Sequence, residues 1–311
     1  MPKKPDSALI LGAGPAGLTA AYRLLEAGVK VTILEKGARE GGQGGTQTFE
    51  GKHGTYRFDY GGHRFITHNA GLLRLVEDLV GDDLLTSMRK SVIRFKGRTY
   101  DYPLALGNLL DTAPSSLLMG AVGDLATLPF RVRRDDNFAT WVTSRFGSTL
   151  YKNFFEGYTA KLWGIVPTEL SADWAGQRIS LIDLKDVAKR LFLTGKNTPR
   201  TYARAYRYPK FGFGIIFERL VERIEKMGGE LRCSTPVAAM EFEGDRITAV
   251  HAGGECFKAD SVVSTISLPD MVRLTGGESE LRYRGLRFFN MPIAMENLSD
   301  CTWQYLSDPE I

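Results

Sequence analysis

Residues 8–17 read Ala8-Leu9-Ile10-Leu11-Gly12-Ala13-Gly14-Pro15-Ala16-Gly17, and the chain runs on through apolar residues at helical spacing to Ala27-Gly28 and then Lys30-Val31-Thr32-Ile33-Leu34-Glu35. Ala8–Leu11 is an uninterrupted apolar run that stops at glycine, as a short buried strand does. Ala16–Ala27 has the periodicity of a helix closed by Gly28, and Val31 and Ile33 mark a second strand. Strand, helix, strand in this order requires the right-handed crossover of a parallel sheet. The amino terminus therefore predicts an α/β fold, the first half of a doubly wound, Rossmann-like domain.

The turn between strand and helix carries chemistry. In Gly12-x-Gly14-x-x-Gly17 the first glycine permits the tight turn, the second lets backbone approach a pyrophosphate, and the third allows close helix packing. Pro15 and Ala16 open the helix, whose amino terminus then faces the phosphates. Glu35, at the end of the second strand, can accept hydrogen bonds from a ribose diol, with Lys36 beside it.

Five residues separate Glu35 from Gly41-Gly42. This Glu-x5-Gly-Gly extension resembles the pattern of two-dinucleotide-binding-domain flavoproteins such as amine oxidases and protoporphyrinogen oxidases, which implies FAD rather than a nicotinamide. The family's usual arginine beside the pyrophosphate is missing from Gly41-Gly42-Gln43-Gly44-Gly45-Thr46; Gly44 and the Thr46 hydroxyl are the expected donors in its place. Phe58-Asp59-Tyr60-Gly61-Gly62-His63-Arg64-Phe65 resembles the segment that passes the flavin ring in protoporphyrinogen-oxidase-like proteins and UDP-galactopyranose mutases. The resemblance implies Gly61, Gly62 and His63 as cofactor contacts and His63 and Arg64 as catalytic candidates that tune the flavin environment. It also implies an adenine contact at Val237, in Ser234-Thr235-Pro236-Val237.

Tyr158-Thr159-Ala160-Lys161-Leu162-Trp163-Gly164 resembles a segment of the UDP-galactopyranose mutases. With it, Tyr158, Lys161, Trp163 and Arg178 become substrate-binding candidates, and Arg178 also a catalytic one: a guanidinium can hold a phosphate or carboxylate by paired donors and an indole can stack on an apolar face. Helical core plus solvated charge is the competing reading of the same spacing. Tyr208-Pro209-Lys210-Phe211-Gly212-Phe213-Gly214 is similar instead to the amine-oxidase group.

Domain organisation follows the pattern of elements. Residues 1–90 predict the first part of the FAD-binding domain, 91–205 an interleaved α+β, largely helical substrate region, 206–270 the second part of the FAD-binding domain, and 271–311 the start of an incomplete substrate-domain sheet. Ser91–Tyr102 predicts a hairpin turning at Lys96-Gly97. Helices are expected around Leu72–Leu79 and Ile216–Ile224, and strands at Glu230–Cys233, Val237–Glu243, Arg246–Ala252, Asp260–Ile266 and Tyr283–Glu296. The closing Gly-Asp segment of these flavoproteins is not found, so a truncated chain is expected.

Composition sets the remaining bounds. Forty basic and 36 acidic residues in 311, spread along the chain, make a mixed surface rather than a nucleic-acid footprint. Arg131–Arg134 is the one dense basic stretch and reads as a solvated loop, with anionic partners left open. Leu117–Phe130, the most apolar long stretch, reads as a buried helix too short to span a bilayer. Cys233, Cys256 and Cys301 have no ligand-like spacing, so no metal site and a cytoplasmic location are expected. The leading expectation is an FAD-dependent oxidoreductase passing hydride from a small-molecule substrate to flavin N5, with an external electron acceptor. The rival is a flavin-dependent isomerase of a nucleotide-sugar, and the third reading is an inactive flavin-binding fragment.

Overall fold

The computed structural model describes residues 4–102, 106–179, 205–296 and 298–307. In chain order the elements begin β1 (Ser7–Leu11), α1 (Pro15–Glu26), β2 (Lys30–Leu34), β3 (Thr46–Gly51), β4 (Gly54–Asp59), α2 (Ala70–Val80) and β5 (Leu84–Met88). There follow β6 (Ser91–Phe95), β7 (Arg98–Tyr102), α3 (Leu106–Thr112), α4 (Ser115–Thr127), α5 (Phe138–Phe146), α6 (Ser148–Leu150), a π-helical segment (Tyr151–Glu156), α7 (Gly157–Trp163) and α8 (Ala172–Arg178). The last group is β8 (Ala205–Pro209), α9 (Ile215–Lys226), β9 (Glu230–Arg232), β10 (Val237–Glu243), β11 (Arg246–Ala252), β12 (Glu255–Phe257), β13 (Ser261–Ser264), α10 (Leu268–Leu274) and β14 (Trp303–Leu306).

The chain divides into two units, Met1–Ser87 with Arg207–Ile293, and Met88–Tyr206 with Ala294–Ile311. In the first, β13-β1-β2-β9 form a parallel sheet. Its residues are apolar on both sides because both faces are covered: on one, Ile10, Leu18, Ala21, Ile33, Leu220 and Ile224 are buried together between strands and α1 and α9. On the other face Leu9, Leu11 and Leu34 pack with Val250 and Ala252 of the antiparallel β10-β11-β12 layer. This is the doubly wound, Rossmann-like fold. All four parallel strands deliver their carboxyl ends to one edge, where ligands of such sheets bind.

In the second unit, β6 and β7 form the hairpin, with Lys96 (φ 49°) and Gly97 (φ 70°) supplying the paired positive φ of a two-residue turn. β14 joins parallel to β6. Phe138, Trp141, Val142, Tyr151 and Ala175 make the helical core.

Two expectations are corrected. Tyr283–Glu296 forms no strand; Tyr283, Phe289 and Met291 are exposed, and the backbone finds no ladder partner among the described residues. Leu117–Phe130 is not a buried helix either: Leu117 and Asp124 face inward, whereas Met119, Val122, Leu125 and Phe130 are exposed. Mean apolarity revealed the stretch but not that its apolar residues encircle the helix.

Candidate functional site

β1 ends at Leu11 and the chain turns at Gly12, whose φ of +101° is closed to most side chains. Its N–H donates to the Leu34 carbonyl at 2.8 Å, and the Thr265 hydroxyl donates to the Leu11 carbonyl at 2.9 Å, clamping the turn from both neighbouring strands. A Cβ on Gly17 would stand 1.9 Å from the Gly12 carbonyl oxygen, so the third glycine is required by packing. A Cβ on Gly14 would meet no atom within 4 Å, so that side of the turn is open. Gly14 is the N-cap of α1 with no side-chain cap, and no acid occupies the first turn. Pro15 has no N–H, and the N–H groups of Ala16 and Gly17 have no intrahelical acceptor; with the helix dipole they form an anion cradle.

The Glu35 carboxylate is held against this turn. One oxygen accepts the Ala13 N–H at 2.8 Å and the other the Gly37 N–H at 2.7 Å. A carboxylate has about four lone-pair positions, so each oxygen can still take one donor of a diol. The Ser234 and Thr235 N–H groups donate to the Gly37 and Glu35 carbonyls at 2.7 and 2.8 Å, which ties the segment leading into β10 to the end of β2, and Val237 packs against the core cluster of Leu9, Leu11 and Leu34. Gly41 (φ +92°) donates to the Ala13 carbonyl at 2.8 Å, and Gly42 lies so close to Gly14 that a Cβ would be 3.1 Å from its Cα. The two glycine signatures, separate in sequence, thus build one cradle. Lys36 is exposed beside it.

Gly44 is pressed against Phe217, which a Cβ would approach to 2.6 Å. The Thr46 hydroxyl donates to Asp59 at 2.5 Å and accepts the Gly214 N–H at 2.7 Å, so its proton is held within the fold. Asp59 also accepts the Tyr208 hydroxyl at 2.6 Å and the Phe213 N–H at 2.9 Å. Sequence reasoning missed this network because its members lie up to 168 positions apart.

Phe65 pairs with Arg207 through two backbone hydrogen bonds of 3.0 Å, which fixes the glycine-rich segment before it. The His63 N–H folds back on the Gly61 carbonyl at 2.9 Å, and its ring lies 5.0 Å from that of Phe213. Its Nδ1 is buried with no hydrogen-bond partner among the described residues. Gly62 is exposed and Arg64 half-buried.

In the second unit, taken by itself, Tyr158 meets Tyr305 edge-on at 5.8 Å, Tyr305 lies 4.7 Å from Tyr102, and the Arg89 guanidinium sits 5.2 Å from the Tyr102 ring. Burial pushes the Tyr305 and Tyr158 hydroxyls above their ordinary range, and the proximity of the Tyr102 hydroxyl adds to the shift. Trp163 is separate from this group: its ring packs edge-on against Trp174 at 5.3 Å, with its indole nitrogen buried. Lys161 is exposed. Arg178 ends α8, and its side chain lies outside the described residues. Tyr102, Tyr305 and Arg89 had no sequence signal, since only the β14-β6-β7 pairing unites them.

A parallel sheet with a glycine cradle at its carboxyl edge, an acid ending the second strand and an open helix amino terminus is the arrangement of the dinucleotide-binding folds. Residues 15–282 match the family described as flavin containing amine oxidoreductase, and the chain belongs to that family. It is 29% identical over 174 residues to the dTDP-fucopyranose mutase of Escherichia coli, covering 54% of this chain and 44% of that protein. It is 24% identical to the phytoene dehydrogenase of Streptomyces griseus, over 97% of this chain and 62% of that one. A crystal structure of reduced UDP-galactopyranose mutase shares the fold, with a TM-score of 0.71 and 24% identity, over 86% of this chain and 57% of that one. The chain thus spans about half to two thirds of the length of these relatives. Among the described residues no helix is long and apolar enough to cross a membrane, and no group of acids, cysteines and histidines is arranged to hold a metal.

Proposed function

We propose that this chain binds FAD and forms the cofactor-holding part of a flavin-dependent oxidoreductase acting on a small molecule. The observation that carries the reading is the single cradle made by Gly12–Gly17, Glu35 and Gly41-Gly42, open on the side where a Cβ on Gly14 would meet no atom. In it, Ala16 and Gly17 N–H groups bind the pyrophosphate, Glu35 takes the ribose diol and the backbone near Val237 borders the adenine. His63, with its unpartnered Nδ1, stands on the segment expected beside the ring. When bound, FAD supplies a two-electron acceptor, taking hydride at N5 from a substrate C–H bond and passing the electrons to an external acceptor. The protein's work is orientation and exclusion of water.

Isomerisation of a nucleotide-sugar is a second reading, favoured by one observation. Tyr158, Tyr102 and Tyr305 with Arg89 combine stacking faces, hydroxyl donors and a cation, a set suited to a polar, anionic sugar derivative. The first test is the visible spectrum of the desalted protein, with the released chromophore weighed by mass spectrometry; a flavin spectrum and FAD support the cofactor reading, and a chain that stays colourless with added FAD refutes it. Anaerobic bleaching by candidate C–H donors then supports oxidation. UDP-sugar isomerisation by the dithionite-reduced protein, without net oxidation, supports the second reading.

A further inference from the structure

The sequence pointed to two features that the flavin site does not use, the apolar stretch 117–130 and the arginines after it. In the structure they form one surface of the second unit. Met119, Val122, Ala126 and Phe130 follow one another at steps of three, four and four along the outer side of α4 and the turn after it, with Leu125 beside them. Met119 is 75%, Val122 66% and Phe130 89% exposed, and Val132 beyond them 80%. At about 1.5 Å per residue the stripe runs roughly 16 Å. The one acid of α4, Asp124, points the other way, held by Arg131 at 2.5 Å and the Thr149 N–H at 2.6 Å.

Cations stand at both ends. Lys96 and Arg98 share a cleft with Ser116 and Leu117 at the start of α4. Arg131, Arg133 and Arg134 follow its end, and Arg133 is exposed with no charge partner among the described residues. An exposed apolar face flanked by basic residues, on a helix of 13 residues too short to span hydrocarbon, has the chemistry of an element lying in the plane of a lipid surface.

We infer that the outer face of α4 and the Phe130–Val132 turn docks on an anionic phospholipid bilayer, with Met119, Val122 and Phe130 entering the headgroup boundary and Arg133 pairing with lipid phosphates, while Arg131 and Arg134 stay paired with Asp124 and Asp136. A patch of this kind would give access to apolar or lipid-linked substrates, but the docking stands independently of the flavin reading.

The test is flotation of the purified protein with vesicles of phosphatidylcholine containing phosphatidylglycerol, against vesicles of phosphatidylcholine alone. Binding to the anionic vesicles that weakens with salt is expected, with Phe130→Ser lowering partition about tenfold and Arg133→Glu about fivefold. Far-UV circular dichroism identical to the parent shows that the variants fold, and Phe130→Trp reports insertion by a blue-shifted emission. No partition to anionic vesicles, partition indifferent to Phe130→Ser, or an emission of Phe130→Trp unmoved by vesicles would each overturn the proposal. So would self-association that Phe130→Ser abolishes, since the face would then belong to a second copy of the chain.

Discussion

Gly14 and Gly17 lie three positions apart in one turn and answer to different constraints. At Gly17 the Gly12 carbonyl is in the way of any Cβ, so Gly17→Ala forces the turn and α1 apart; a loss of about 1–3 kcal/mol in urea unfolding is expected, with loss of flavin. At Gly14 the added methyl meets no protein atom. Gly14→Ala is therefore expected to leave the melting curve of the flavin-free protein unchanged while weakening FAD titration at least tenfold, because the methyl would fill the open space that the proposed site gives to the pyrophosphate. Equal damage to stability from both substitutions would show that Gly14 serves the fold alone.

At the scale of elements, two carboxylates join segments distant in sequence. Asp59 at the end of β4 receives three donors from Thr46, Tyr208 and Phe213, and so ties the β3-β4 ribbon to the segment entering α9; Asp59→Ala is expected to cost about 2 kcal/mol in urea unfolding. Asp124 does the same for α4 and α6. Its burial pushes the carboxyl up, but the Thr149 N–H, the Arg131 guanidinium and Ser148 outweigh this and hold it well below the usual carboxylate range. A folded-state pKa below the unfolded one means stabilisation that is complete at neutral pH and drains away as pH falls through about 4 toward the folded value. Asp124→Asn should thus cost about 2 kcal/mol at pH 7, and the difference from the parent should shrink at pH 3.

What the sequence disclosed at this scale was local. The β1-α1-β2 turn, the Lys96-Gly97 hairpin and the amphipathic α9 are written in spacing and in residues tolerant of positive φ, which act over a few positions. The site was legible where a residue's role comes from its own turn, as for Gly12–Gly17 and Glu35. It was illegible where contacts are distant. Thr46 looked like a free hydroxyl because Asp59 and Gly214 cannot be read from its neighbours. Tyr158 and Trp163 looked like one surface, yet one meets Tyr305 of β14 and the other Trp174 of α8. The π-helical turn before them, which shifts the helix register, has no marker in sequence.

For the whole molecule, the division into units makes a strong statement about independence. Every strand of the parallel sheet belongs to the first unit, and the Arg207 guanidinium bonds to the Thr86 hydroxyl, so the points where the chain leaves and re-enters that unit are neighbours. Replacing 88–206 by a short glycine-serine linker and ending at Ile293 should leave a folded protein that still takes up FAD, checked by circular dichroism and flavin absorbance. Its melting temperature should rise with FAD concentration, as binding to the native state alone requires. Failure to fold would mean that the sheet depends on the second unit.

The Thr265 clamp on the glycine turn has one further implication, for the order of events during synthesis. Its hydroxyl meets Leu11 across 254 positions, and β13 lines up against β1 from almost as far along the chain. At ~5–20 residues per second, the first strand leaves the ribosome roughly 10–50 s before its neighbour exists. The hairpin of the second unit can close long before then. Throughout that interval β1 is paired on its β2 side alone, and the nascent chain carries an open apolar sheet edge and a half-built glycine cradle, so its yield in the cell should depend on chaperones that hold such an edge.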